Sequence, residues 1–223
     1  MKNLICILFT LIFLGIPGLV SAQKNQGLDK RLLIKYSPLA LAELETVVLQ
    51  GGIEYFLNDS LSWQGEIGLN SGVFGANAGR DQNSDFSFIR FRSEVKWYLS
   101  RSYVAAEVFV LAKDFNRQND FFFDGETNIC YKTANIRYFS TGAMAKIGSQ
   151  KFISKRILFD KYIGLGFRVN HNDVKVSEGG TIGGDGPSPI LEDKYRSLGW
   201  ALAPTLTVGF KFGFLTGKIR AEK

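Results

Sequence analysis

The sequence predicts an all-β fold: eight antiparallel strands running up and down around a closed barrel with a packed polar lumen. Three observations predict it. Beyond about residue 23, eight stretches alternate apolar and polar residues with period two, and none carries a helical period. The connections between them alternate between short and long. Only Cys130 lies outside the first 22 residues, so no disulfide within the remaining chain is available to staple a smaller core.

The chain opens with Lys2, an apolar run from Leu4 to Leu14, a break of Gly and Pro at 15–18, and Val20, Ser21 and Ala22. This is the pattern of a secretory signal peptide over 1–22, cut after Ala22, with an apolar run short for a bilayer span. Residues 23–223 then form one domain. Cys6 leaves with the signal, and no cysteine stands at the cleavage site to take a lipid. The formal net charge of +6 is spread along the chain. Export and the lack of a basic run set nucleic-acid binding aside.

The first strand is expected over 31–40, with Pro38 near its end where a lost backbone donor does least harm. The second, over 46–57, sorts Val47, Leu49, Ile53, Tyr55 and Leu57 against Gln50 and Glu54. A tight turn at 58–60 leads to the third, over 61–71, where Leu61, Trp63, Ile67 and Leu69 alternate with Ser62, Gln64, Glu66 and Asn70. A loop rich in Gly, Asn and Asp occupies 72–85. The fourth strand, over 88–99, carries Ile89, Phe91, Val95, Trp97 and Leu99 on one face, interrupted by Ser93. Arg90, Arg92, Glu94, Lys96 and Tyr98 fill the other.

A turn at 100–102 precedes the fifth strand, over 103–113, with Val104, Ala106, Val108, Val110 and Ala112 opposed to Glu107 and Lys113. A long loop is expected over 114–130. The sixth strand lies within 133–148, with a phase shift near Arg137 that suggests a bulge. After a basic connection at 149–156, the seventh strand over 157–169 opposes Ile163, Leu165, Phe167 and Val169 to Tyr162 and Arg168. The longest loop, 170–196, contains "EGGTIGGDGPSP", read as irregular. The eighth strand, over 198–214, sets bulky residues from Leu198 to Phe214 against Ala201, Ala203, Thr205, Thr207, Gly209, Lys211 and Gly213.

Strands of about 10 to 12 residues, tilted as in barrels, span a hydrocarbon layer. A sheet can enter lipid only when closed, because an edge would leave backbone groups unpaired. The sequence therefore fits a transmembrane barrel in the cell outer membrane, with bulky faces toward lipid and charged faces inward. At eight strands the lumen is filled by side chains and is not an open pore. The expected lumen network is Glu54, Glu66, Arg90, Arg92, Glu94, Lys96, Glu107, Arg168 and Lys211, both signs being present because buried charges need partners. Inner-face glycines such as Gly164, Gly166, Gly209 and Gly213 are expected to make room for long arginines. The aromatic girdle candidates are Tyr55, Trp63, Trp97, Trp200, Phe212 and Phe214.

The opening "LIKYSPLAL", the hairpin "GGIEYFLNDSLSWQGEIGL" and the aromatic "TVGFKFGF" extend this pattern over residues 23–223. On them the chain resembles the small eight-stranded outer-membrane β-barrel proteins of Gram-negative bacteria, of OmpA/OmpX type, and in particular a group seen in Bacteroidota. The resemblance implies assembly by the barrel assembly machinery, with Phe212 or Phe214 as the aromatic end of the last-strand signal. Nine residues following Phe214 are a departure from that pattern. It also implies a structural, adhesion or interaction role through outer loops, and membrane lipid as a partner.

No catalytic residue, cofactor site or metal site is assigned. The lone histidine, His171, is followed two positions on by Asp173, where lipid A deacylases of this architecture carry a serine. Asp114, Asp120, Asp124 and Glu126 lack the every-second-residue spacing of a calcium loop. Phe121, Phe122 and Phe123 form an apolar run expected to dip into the outer leaflet, to meet a partner or to pack back on the barrel rim. Cys130 has no nearby His or Cys and reads as inert. The loops at 72–85, 114–130 and 170–196 are the candidate contact sites for an extracellular partner. Two alternatives stay open: a soluble periplasmic lipocalin-like barrel with its apolar face around a lipid, and a lipid A-modifying outer-membrane enzyme using His171 with a serine such as Ser177 or Ser197.

Overall fold

The computed structural model describes residues 32–38, 48–70, 86–99, 102–183 and 195–216. The signal peptide expected over 1–22 and the loop expected over 72–85 lie outside the described residues. Eight strands follow in chain order: β1 (Leu32–Tyr36), β2 (Val48–Asn58), β3 (Leu61–Asn70), β4 (Phe86–Tyr98), β5 (Ser102–Phe123), β6 (Asn128–Phe152), β7 (Ile157–Gly183) and β8 (Gly199–Leu215). Each pairs antiparallel with the next, and β1 with β8, so the sheet closes into a barrel. Closure runs from Leu33 opposite Leu215 to Tyr36 opposite Phe212.

The period-two alternation decides which face is inside. On β4, Ile89, Phe91, Val95 and Trp97, with Leu99 just past its end, are exposed while Arg90, Glu94, Lys96 and Tyr98 are buried. The same division holds on β2 and β3, where Leu49, Ile53, Tyr55, Leu57, Trp63, Ile67 and Leu69 stand outside. Glu54, Lys96, Asp160 and Lys211 are fully buried in the lumen, whereas Trp97 and Trp200 are about two-thirds exposed. A barrel of lipocalin type, with its apolar face inward, is the opposite arrangement.

Three expectations are corrected by the long strands. Residues 114–130 are not a long loop: β5 runs on to Phe123, β6 begins at Asn128, and only 124–127 turn. Likewise β7 continues through 170–183, including the first half of the glycine-rich tract. Both extensions persist because backbone pairing between β5, β6 and β7 continues past the end of the apolar alternation. Polar residues tolerate a strand whose outer face meets water. The bulge expected near Arg137 lies instead between Cys130 and Ala134, where the β6–β7 register shifts. There Gly179 and Gly180 adopt φ of 87° and 127°, values a side chain would resist, which is how this tract stays in the sheet.

The inner-face glycines make room, but not for arginines. A Cβ on Gly209 would stand 2.5 Å from the Tyr162 hydroxyl, and one on Gly164 would stand 2.6 Å from Lys146 Cγ. A Cβ on Gly166 would overlap the Ala143 carbonyl oxygen and stand 2.5 Å from Met144 Cβ, whereas one on Gly213 would meet Leu158 only at an ordinary contact distance of 3.4 Å. The space is taken by the tyrosine and lysine that cross the lumen beside the carboxylates.

Candidate functional site

The lumen is built in layers, beginning at the end where the short turns lie. Leu33, Phe56, Tyr98, Tyr103, Leu158 and Leu215 form an apolar plug across that end. Phe56 and Tyr98 stack with ring centroids 5.5 Å apart. Strand alternation supplies these residues from β1, β2, β4, β5, β7 and β8, one from each, so the plug ties together strands on opposite sides of the barrel.

Directly above the plug, two carboxylates and two ammonium groups meet. Lys35 Nζ lies 2.6 Å from Glu54 and 2.5 Å from Asp160. Lys96 Nζ lies 3.5 Å from Glu54 and 2.8 Å from Asp160. The remaining carboxylate lone pairs are also occupied. The Tyr98 hydroxyl and Ser62 Oγ each donate to Glu54 at 2.5 Å. The Tyr103 hydroxyl donates to Asp160 at 2.7 Å, and Gln150 Nε2 reaches both acids at 3.1 Å. This is the condition under which buried charge is tolerable: each ion is paired and both carboxylates are hydrogen-bonded.

The next layer joins β3, β4, β5, β6 and β8. Lys146 pairs with Glu107 and, at 3.0 Å, with Glu94. Lys211 pairs with Glu66 at 2.6 Å and lies 3.5 Å from Glu94. Gln50 and Gln64 donate to Glu66, and Arg92 stands 3.9 Å from Glu107. The Tyr162 ring lies under both ammonium groups, 4.6 Å from Lys146 Nζ and 4.8 Å from Lys211 Nζ. Arg90 donates to Gln50 at 3.2 Å.

Of the nine lumen residues expected from sequence, Glu54, Glu66, Arg90, Arg92, Glu94, Lys96, Glu107 and Lys211 enter this network. Arg168 faces the lumen farther up, half-buried, and its Nε finds no hydrogen-bond partner among the described residues. Sequence reasoning missed Lys35, Lys146 and Asp160. Asp160 stands two residues before Tyr162, already placed on the inner face, so extending that alternation would have found it.

At the opposite end the lumen is closed again. Tyr195 is buried between Phe115 and Tyr138, with centroid distances of 5.0 Å to each and edge-to-face geometry. Lys113 Nζ and the Arg117 guanidinium lie 4.9 and 5.4 Å from its ring. The segment behind Tyr195 is strapped to the tip of β5. The Phe123 amide donates to the Arg196 carbonyl at 2.7 Å, and the Leu198 amide donates to the Phe123 carbonyl at 3.0 Å. Arg196 also pairs with Asp120 at 2.7 Å and covers the Phe121 ring. Phe122 packs inward against Tyr131 and Ala134. Part of the 170–196 segment expected as a contact loop is thus strand, and 195–198 is a strap over the mouth.

The girdle candidates Tyr55, Trp63, Trp97, Trp200, Phe212 and Phe214 are all on the outer surface. Tyr55 lies opposite Trp63, and Trp97 opposite Leu61, near the short turns, whereas Trp200 is at the other end of the barrel. His171 also faces outward, its ring 4.6 Å from that of Trp200. It borders a surface cavity of about 370 Å³ lined also by Ser87, Ala112, Asp114, Arg137, Phe139 and Asp173. Ser87 belongs to β4, three strands away, roughly 14 Å at ordinary strand spacing. That is beyond hydrogen-bond reach of the imidazole.

No protein-family model and no curated protein matches the chain. Among solved structures, the crystal structure of CarO from Acinetobacter baumannii is similar, with 12% sequence identity and a TM-score of 0.37 over 86% of this chain and 100% of that one.

Proposed function

We propose that this chain is an outer-membrane β-barrel protein with a sealed lumen, acting as a structural, adhesion or interaction protein through the part that projects beyond the lipid. The observation that carries the reading is the orientation of the two faces. Bulky hydrophobes cover the outside, while a network of paired lysines and carboxylates fills the inside. A protein folding in water has no reason to pay for both.

The outer surface also changes character across one step of the sheet. Ile89, Ala112, Phe139, His171 and Trp200 stand opposite one another across β4 to β8. The next outward row is Ser87, Asp114, Arg137 and Asp173. From Ile89 to Leu99 the apolar face of β4 covers about 33 Å along the strand, or about 25 Å along the axis at a tilt near 40°. That matches the height of the apolar band of membrane barrels, about 25 Å. Beyond it β5, β6 and β7 continue as a polar three-stranded sheet, with Asn116, Asn135 and Lys175 in the following row. This projection, not flexible loops at 114–130 and 170–183, is the surface offered to an extracellular partner.

No reaction is assigned to His171. Assembly would follow the ordinary outer-membrane route, with the aromatic end of β8 as its signal. The test is fractionation together with gel migration before and after boiling. Sedimentation with the outer membrane and a heat-dependent mobility shift are expected. Recovery as a soluble protein without detergent would overturn the reading.

A further inference from the structure

We infer that the β6–β7 turn and the strand ends beside it form a binding surface for the headgroups of anionic glycerophospholipids in the leaflet on the short-turn side. The inference rests on the membrane reading above.

Four cations, Lys151, Lys155, Arg156 and Lys161, are exposed within eleven residues of this hairpin. None of them forms an ion pair among the described residues. The single acid in the same stretch, Asp160, points the other way, fully buried and bonded to Lys35 and Lys96. At the opposite end of the barrel three cations are answered by acids: Lys132 by Glu178, Arg137 by Asp114 and Arg196 by Asp120. Here the positive charge has no answer among the described residues.

A second, independent feature fixes the depth at which these charges sit. Phe159, Phe210 and Phe212 form an outward cluster with centroids 5.5 to 5.8 Å apart. Lys151 lies opposite Phe159, and Lys161 opposite Phe210. Aromatic rings and lysines therefore interleave on one band, the composition of a membrane–water interface. Long lysine stems lie along apolar surface while their ammonium groups reach the phosphates. Below the band, Ile153 is 63% exposed at the turn and Ile157 is 42% exposed beside Phe214. A turn with bare isoleucines and unpaired cations fits a surface that is apolar and anionic at once, as a headgroup layer is.

Lipid association settles the matter. The full-length barrel is placed in phosphatidylcholine vesicles carrying trace spin-labelled phosphatidylglycerol or spin-labelled phosphatidylcholine. The expected result is about threefold or greater preference for phosphatidylglycerol at low salt, falling toward parity near 0.5 M salt as the charges are screened. Combined replacement Lys151→Gln, Lys155→Gln, Arg156→Gln and Lys161→Gln is expected to abolish the preference, while Lys132→Gln with Lys175→Gln at the far end leaves it intact. The boiling-dependent gel shift checks that each variant is folded. If the fourfold variant does not fold, the salt dependence of the unaltered protein decides. Insertion with equal association of both lipids would overturn this inference alone. Failure to insert at all would overturn the membrane reading and this inference with it.

Discussion

Lys35 on β1 and Asp160 on β7 meet at 2.5 Å in the centre of the lumen, joining two strands separated in the sheet by β8. Asp160 is the acceptor for both Lys35 and Lys96 and for the Tyr103 hydroxyl, so it is one of the two acids on which the lower charge layer converges. Asp160→Asn keeps the shape and removes the charge, leaving Lys35 with only Glu54, and Lys96 with only Glu54 and, at 3.8 Å, Glu94, among the described residues. The expected loss is about 3–5 kcal/mol of unfolding free energy. Urea titration of the barrel in vesicles measures it. Combining the change with Lys35→Met should cost less than the sum of the two single changes, because each removes the other's uncompensated partner. Strict additivity would mean that the contact carries no coupling.

On the outer surface, the Trp63 indole N–H donates to Ser93 Oγ at 3.0 Å. This accounts for the serine that interrupts the apolar face of β4. In hydrocarbon an unpaired indole N–H has no water to turn to, so Ser93→Ala should cost about 1 kcal/mol in vesicles. Trp63→Phe combined with Ser93→Ala should show coupling of similar size. An uncoupled pair would place the serine there for some other reason.

The strap over the outer mouth is a separate cooperative piece. Tyr195→Ala removes the ring wedged between Phe115 and Tyr138, and losses of about 3–5 kcal/mol are typical for a buried aromatic truncated to alanine. The loss should fall locally, because the ionic layers below do not touch Tyr195. Hydrogen exchange at the Phe123 and Leu198 amides, which the strap holds, should quicken while the Lys96 and Glu107 amides keep their protection. Equal loss at all four would show that mouth and lumen unfold as one unit.

The residues that sequence placed correctly are those where alternation is unbroken. From Arg90 to Tyr98 every second side chain is polar, and period two alone sorts the faces. Asp160 and Lys161 adjoin in sequence yet face opposite environments, one buried in the lumen and one exposed on the outer surface, so residue type alone cannot separate them. Lys146 was hidden by the phase shift expected near Arg137, whereas the register in fact changes at 130–134. The reach of β5 to Phe123 and of β7 to Gly183 was not legible because it depends on cross-strand pairing between residues far apart in sequence. The strap has no local signal. Tyr195 is one aromatic in a polar segment, and its partners Phe115 and Tyr138 come from two other strands.

The turn joining β5 to β6 gives a pH prediction whose sign is fixed by its geometry. The Asp124 carboxylate accepts the backbone N–H groups of Glu126 at 2.9 Å and Thr127 at 2.8 Å, and Gly125 between them adopts φ of 111°. These backbone bonds, Thr127 first and then Glu126, hold the Asp124 carboxyl below its ordinary value of 3.8. A carboxylate lowered by folding stabilises the turn at all pH above the ordinary value. That contribution is lost as pH falls through the lowered one. Above about pH 5 the Glu126 and Thr127 amide resonances should therefore be constant, and below pH 4 they should move together with a midpoint under 3.8. Asp124→Asn should remove the titration while keeping an acceptor at the same place. A midpoint at or above the ordinary aspartate value would mean that the two amides do not hold the charge, and that Gly125 alone sets the turn.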